Sequence, residues 1–199
     1  GIKGRSMDES QLPDANFVFL IDVSGSMNSS DKLYLLKSGL KTLVDQLRPT
    51  DRISIITYSG QVKKVLESTL VSESTTIKNA ISKLTAGGST AGGAALQMAY
   101  QEALDNFIEG GNNRVVMGTD GDFNVGISDP KLLEEFIATK RESGIFLTVL
   151  GVGRGNYQDA TMKKLANAGN GNYAYLDSVL EAKKVMMNEF GGTLFTVAK

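Results

Sequence analysis

Asp22, Ser24 and Ser26 stand at alternate positions at the end of an apolar run, Asn16 to Asp22 (NFVFLID). Carboxylates and hydroxyls are hard oxygen donors. Alternate spacing lets a loop turn all three toward one point, and Gly25 permits the tight path this needs. Two more segments offer the same chemistry: Thr90, inside the glycine-rich stretch Thr85 to Gly93 (TAGGSTAGG), and Asp120, in Thr119-Asp120-Gly121. The chain has no Cys and no His, which removes thiol nucleophiles, disulfides, zinc-thiolate sites, Ser-His triads and imidazole bases. A metal would be held by oxygen alone, with Mg²⁺ the first choice and Mn²⁺ or Ca²⁺ as alternatives. Two carboxylates with neutral hydroxyls suit a six-coordinate Mg²⁺ that keeps some waters. So few fixed charges leave the cation electrophilic, so that a carboxylate from outside could become a ligand.

Each residue has a plainer reading. Asp22 could end its strand by capping the next loop, and Ser26 could bond local backbone. Thr90 is a residue that glycine-rich turns often contain, and Asp120-Gly121 could be a simple turn. Asp122 and Asn124 could support the site or only the turn. Asp51 falls at the opposite end of a strand and is read as structural, Met186-Met187 as packing. Gly151-x-Gly153-x-Gly155 lacks the full dinucleotide spacing and its acidic partner, and is read as a loop.

The elements that must position these residues follow from hydrophobic spacing. Asn16 to Asp22 reads as a strand buried on both faces. Ser24 to Ser30 is a loop, and Asp31 to Leu47 has apolar residues at helical spacing, with Pro49 beyond its end. Arg52 to Tyr58 and Val62 to Glu67 read as a hairpin about Ser59-Gly60-Gln61. Lys63 and Lys64 suit an exposed edge strand. Helices follow at Ser74 to Leu84, with Ser74 as N-cap, and at Ala94 to Phe107. Arg114 to Gly118, Ile145 to Val152 and Tyr173 to Leu176 read as strands. Pro130 to Glu142, Asp159 to Ala168 and Ser178 to Phe190 read as helices.

This alternation implies an α/β fold, a doubly wound, mostly parallel six-stranded sheet with one antiparallel edge strand and helices on both faces. Parallel strands end at one edge, where such folds bind ligands. The first strand brings Asp22 there. The hairpin sends the third strand down, so the next helix climbs and delivers Thr90 to the same edge, and the fourth strand brings Asp120.

The 199 residues, 41% hydrophobic and 22% charged, suit one such domain over residues 16–191. A polar segment, 1–15, precedes it, and a tail, 192–199, is expected to lead into further protein, its apolar stretch Thr193 to Val197 having no evident place in the sheet. Gly1 in place of Met points the same way. A net charge of −1 gives no bulk attraction to nucleic acid or anionic lipid, and no apolar run has the length of a membrane span.

Asp22-Val23-Ser24-Gly25-Ser26-Met27, then Thr90, then Thr119-Asp120-Gly121 resembles the metal-ion-dependent adhesion site of von Willebrand factor type A domains. The resemblance spans about Asn16 to Phe190. The stretches Gly87 to Gly93 and Thr119 to Gly126 are more particularly similar to the bacterial YfbK-type group, often labelled calcium-activated-chloride-channel-like. The resemblance implies that Ser24 and Ser26 bind the metal directly, that Thr90 does so in the ligand-bound state, and that Asp22 and Asp120 act directly or through water. It also implies a protein or peptide partner that supplies a carboxylate, and a parent protein that is exported or associated with the cell envelope. The expected function is a metal-dependent binding or adhesion module, not an enzyme.

Two other functions compete. An Mg²⁺-dependent phosphohydrolase would also place an aspartate at the end of the first strand. Against it, Ser24 replaces the second aspartate such enzymes often carry, no lysine is evidently placed to neutralise phosphate, and no P-loop is present. A scaffold with a vestigial metal site is the third reading.

Overall fold

The computed structural model describes residues 13–89, 94–121, 129–153 and 159–185. Six strands form one sheet: β1 (Ala15–Asp22), β2 (Arg52–Tyr58), β3 (Val62–Leu70), β4 (Asn112–Thr119), β5 (Ile145–Val152) and β6 (Tyr173–Leu176). Their spatial order is β3-β2-β1-β4-β5-β6. All neighbouring pairs are parallel except β2 and β3, which are antiparallel and start from the pair Tyr58 and Val62. The expected fold class and antiparallel edge strand are therefore observed.

Strand β1 is buried along its whole length. Phe17, Phe19 and Ile21 face a core completed by α1 (Leu33–Gln46), α2 (Ser74–Lys83) and α6 (Val179–Val185). Val18 and Leu20 face a second core, against α3 (Ala95–Asp105), α4 (Pro130–Glu142) and α5 (Asp159–Ala168). This alternation at period two, with helices over both faces, is why the strand sequence reads as continuously apolar.

Some boundaries differ from those expected. Helix α1 begins at Leu33, because residues 25–27 form a 3₁₀ turn and the chain stays irregular through Lys32. Strand β3 runs on to Leu70, with register shifts against β2 between Ile53 and Ile56. Ser74 is not the N-cap of α2. A 3₁₀ turn, Val71–Glu73, leads directly into the helix, Glu73 takes the cap position, and no side chain caps it. Thr90, Asp122, Asn124, Gly155, Met186, Met187, the segments 1–12 and 186–199, and with them the tail, lie outside the described residues.

Consecutive strands β1 and β2 lie on one side, while β4 flanks β1 on the other. The strand order thus reverses between β1 and β4, and the crevice beyond their C-terminal ends is where doubly wound sheets accept ligands. The last residue of β1 is Asp22, and the residue after β4 is Asp120.

Candidate metal centre

Asp22 is fully buried. Its Oδ1 accepts a hydrogen bond from the Ser24 backbone N–H at 2.9 Å, and its Oδ2 accepts from the Thr119 hydroxyl at 3.4 Å. Thr119 Oγ1 in turn accepts from the Gly121 N–H at 3.1 Å, which fixes the turn carrying Asp120 against the end of β1. No basic side chain pairs with Asp22 among the described residues. Burial raises its carboxyl above the ordinary value, the Ser24 hydrogen bond opposes that rise, and the negative charge of Asp120 adds to it.

Ser24 and Ser26 bring their hydroxyl oxygens to 3.0 Å of one another. Ser24 is buried and Ser26 exposed, so the pair spans the wall between the interior and solvent. The 3₁₀ turn, closed by Met27 N–H on the Ser24 carbonyl, swings Ser26 back toward Ser24, while Met27 anchors the turn in the core. The loop after β1 is tied on both sides: Val23 N–H donates to the Tyr58 carbonyl at 3.0 Å, and Gly87 N–H to the Val23 carbonyl at 2.8 Å. Gly25 N–H donates to the Gly88 carbonyl at 3.0 Å, so the glycine-rich loop lies against the serine turn two residues before Thr90.

Asp120 has a nearly buried side chain, and its Oδ2 is 2.9 Å from the Lys32 ammonium. The structure therefore brings Asp22, Ser24, Ser26 and Asp120 to one edge, as the topology argument required. Asp51 lies at the opposite edge and is structural in its bonding. Its carboxylate accepts from Ala15 N–H, Arg48 N–H and the Arg48 guanidinium.

Three neighbours of the site were given no role by the sequence reading. Thr119 carries a hydroxyl at the end of a buried strand, directly before the acidic turn, a position that could have flagged it. Tyr58 ends β2 beside Asp22; its hydroxyl is fully buried, and burial first and the Asp22 charge second push its phenol well above the ordinary value. Lys32 gave no signal, since a lysine at the start of a helix ordinarily points into water. Its presence removes one of the sequence arguments against phosphate chemistry.

The donor set fits a hard divalent cation. A buried carboxylate without a basic partner is costly unless a cation or a proton compensates it, and the two adjacent hydroxyls are oxygen donors that such ions accept. Among the described residues no three acidic side chains cluster, so an ion here would depend on hydroxyls for much of its shell. Beside the centre a groove of about 590 Å³ runs between the β2–β3 turn and the loop from Lys83 to Ser89, with Lys63 and Lys83 on its walls.

Residues 16–188 match the sequence profile described as the von Willebrand factor type A domain. The chain belongs to that family. It is 49% identical over 198 residues to the uncharacterized protein YfbK of Escherichia coli (strain K12), an alignment that covers all of this chain and 34% of YfbK. The chain thus spans about a third of that relative's length. Among solved structures it is similar to an aerotolerance-related membrane protein from Bacteroides fragilis, with a TM-score of 0.72 and 24% identity over 89% of this chain and 99% of that one. It is also similar to proximal thread matrix protein 1 of the mussel byssus with a zinc-occupied MIDAS motif, with a TM-score of 0.71 and 24% identity over 92% of this chain and 46% of that one. At these identities the two structures speak for the fold alone. The family is one of metal-dependent adhesion and protein interaction, and divalent-cation binding is consistent with this fold.

Proposed function

We propose that this von Willebrand factor type A domain is a metal-dependent protein-binding module that recognises an acidic group of its partner through a bound divalent cation. The observation that carries the reading is Asp22: a fully buried carboxylate without a basic partner among the described residues, at the strand-order reversal, beside two serine hydroxyls 3.0 Å apart. In this reading Ser24 and Ser26 hold the cation through their hydroxyls, Asp22 and Asp120 hold it directly or through water, and Thr90 completes the set. Mg²⁺ is the expected resident, with Mn²⁺ or Ca²⁺ as substitutes. The cation supplies an electrophilic position that a partner carboxylate can fill, and the protein's own residues orient it. An exported or envelope-associated parent is part of the same proposal; it is the location that the family resemblance implies. Neither the YfbK-type likeness nor its chloride-channel-like label carries any part of the mechanism.

Calorimetric titration with Mg²⁺ and Mn²⁺ tests this. The wild-type chain is expected to bind one ion, and Ser26→Ala and Asp22→Ala to lose it while remaining folded. Equal binding by all three would reject the ligand set. Binding by none would leave the vestigial scaffold. Mg²⁺-dependent turnover of p-nitrophenyl phosphate that is abolished by Asp22→Ala would instead make the site a phosphohydrolase.

A further inference from the structure

Lys32 reaches the site on a path built for it. It occupies the N-cap position of α1, where its N–H donates to the Ser29 carbonyl and its carbonyl accepts from Leu36 N–H. Its stem passes over Gly153, just beyond β5, and its ammonium meets Asp120 Oδ2 at 2.9 Å. A Cβ at position 153 would stand 2.6 Å from Lys32 Cε and 3.2 Å from its Cγ, so any larger residue there would push the stem off this path. Gly153 itself has φ +88°, and its carbonyl accepts from the Tyr175 hydroxyl of β6. Three segments, the entry to α1, the end of β5 and β6, thus hold one ammonium against one carboxylate of the candidate centre. A surface lysine free in water needs no such holder.

The consequence is electrostatic. Among the described residues at the centre, Asp22 and Asp120, when ionised, and Lys32 together carry one net negative charge. A divalent cation placed among them reverses the sign and leaves one net positive charge. We propose that Lys32 is a built-in counter-charge: by occupying Asp120 it weakens the centre's own hold on a divalent cation, and it leaves the loaded centre with the excess positive charge that favours an anionic partner. The inference rests on the metal reading and deepens it, since it assigns selection for a carboxylate to a positioning residue that itself binds neither metal nor partner.

The test is Lys32→Met, which keeps a stem beside Gly153 and removes the charge, with Lys32→Arg as the charge-retaining control. Two constants are measured on the whole chain: Mn²⁺ affinity by calorimetry, and acetate affinity of the Mn²⁺-loaded protein by water-proton relaxation. Lys32→Met is expected to bind Mn²⁺ roughly tenfold more tightly and acetate roughly tenfold more weakly, the scale expected of a unit charge a few ångströms away. Lys32→Arg should stay near wild type in both. A merely structural role would weaken both constants together, and a solvated lysine would move neither. Either result overturns the proposal, as does any result in which the two do not move in opposite directions. If Lys32→Met does not fold, Lys32→Gln is read by the same criterion. A wild-type chain that binds no Mn²⁺ would reject the metal reading itself, whereas Mn²⁺ binding with unchanged Lys32→Met constants would reject only the role of Lys32.

Discussion

Gly25 and Gly88 are joined backbone to backbone, amide to carbonyl, at 3.0 Å. This bond lays the glycine-rich loop on the serine turn, and so sets where the chain leaves toward Thr90. Gly88 has φ +84°, a conformation that a Cβ disfavours, while the space around it would admit one at ordinary contact, 3.4 Å from Ser59 Oγ. Gly88→Ala should therefore lose about 1 kcal/mol to backbone strain and not to crowding. Urea denaturation reads the stability. If Thr90 is a ligand, Mn²⁺ titration of the same variant should show affinity falling as well. An unchanged midpoint would mean that the loop reshapes freely and does not fix the site.

Asp22 makes a second prediction, of opposite sign to the usual effect of disturbing a buried polar residue. Its carboxyl is raised by burial, so the folded state takes up a proton there more readily than the unfolded chain. That contribution favours the fold at low pH and is lost as pH rises from about 4, the unfolded value, through the higher folded value. In EDTA, Asp22→Asn should remove this loss and raise the melting temperature at neutral pH, by on the order of 1 kcal/mol of stability. An asparagine Oδ1 can still accept from Ser24 N–H. The same variant should gain nothing from added Mg²⁺, whereas wild type should be stabilised by it. A metal-free Asp22→Asn protein less stable than wild type at neutral pH would show that the ionised carboxylate is already compensated within the fold.

The sheet could be read from the sequence because its strands are buried on both faces and its hairpin turn is explicit. Those two features fix the direction of β3, and with it the edge to which Asp22 and Asp120 come. What could not be read depends on contacts between distant segments. The Lys32–Asp120 pair joins residues 88 apart, and nothing in the local pattern of either announces the other. The N-cap of α2 was misplaced because a 3₁₀ turn merges with the helix, so that Ser74 already has helical geometry. Lys64 shows the same limit: its charge beside Lys63 suits an exposed edge strand, but its partner is a buried acid on a helix that packs against the sheet.

That partner, Glu102 on α3, supports a third prediction. Its Oε1 accepts from the Ser54 hydroxyl at 2.9 Å and from Asn106 Nδ2 at 3.1 Å, and Lys64 Nζ lies 2.6 Å from Oε2. The Glu102 side chain is only 4% exposed, so removing the lysine leaves a buried carboxylate without its cation. Lys64→Met should cost about 1 to 3 kcal/mol, and Glu102→Gln in the same chain should recover part of it. Lys63→Met, at an exposed position without an ion pair among the described residues, should change stability little. Additive effects of Lys64→Met and Glu102→Gln in denaturant unfolding would show that the pair is uncoupled.

Asp51 is the counterpart that separates a structural carboxylate from a candidate ligand. Like Asp22 it is fully buried, but it sits at the other edge of the sheet and its oxygens are satisfied within the protein. Oδ1 accepts from Ala15 N–H at 2.8 Å and from the Arg48 guanidinium at 2.9 Å, while Oδ2 accepts from Arg48 N–H at 2.8 Å. These bonds fasten the start of β1 to the turn that enters β2. Asp51→Ala leaves two backbone N–H groups and a guanidinium without their acceptor, and should destabilise by roughly 3 kcal/mol. Mn²⁺ affinity should be unchanged, because the two edges share no side chain. If Asp51→Ala and Asp22→Asn shifted metal-free stability in the same direction, the distinction between a carboxylate satisfied by the fold and one left for an ion would not hold.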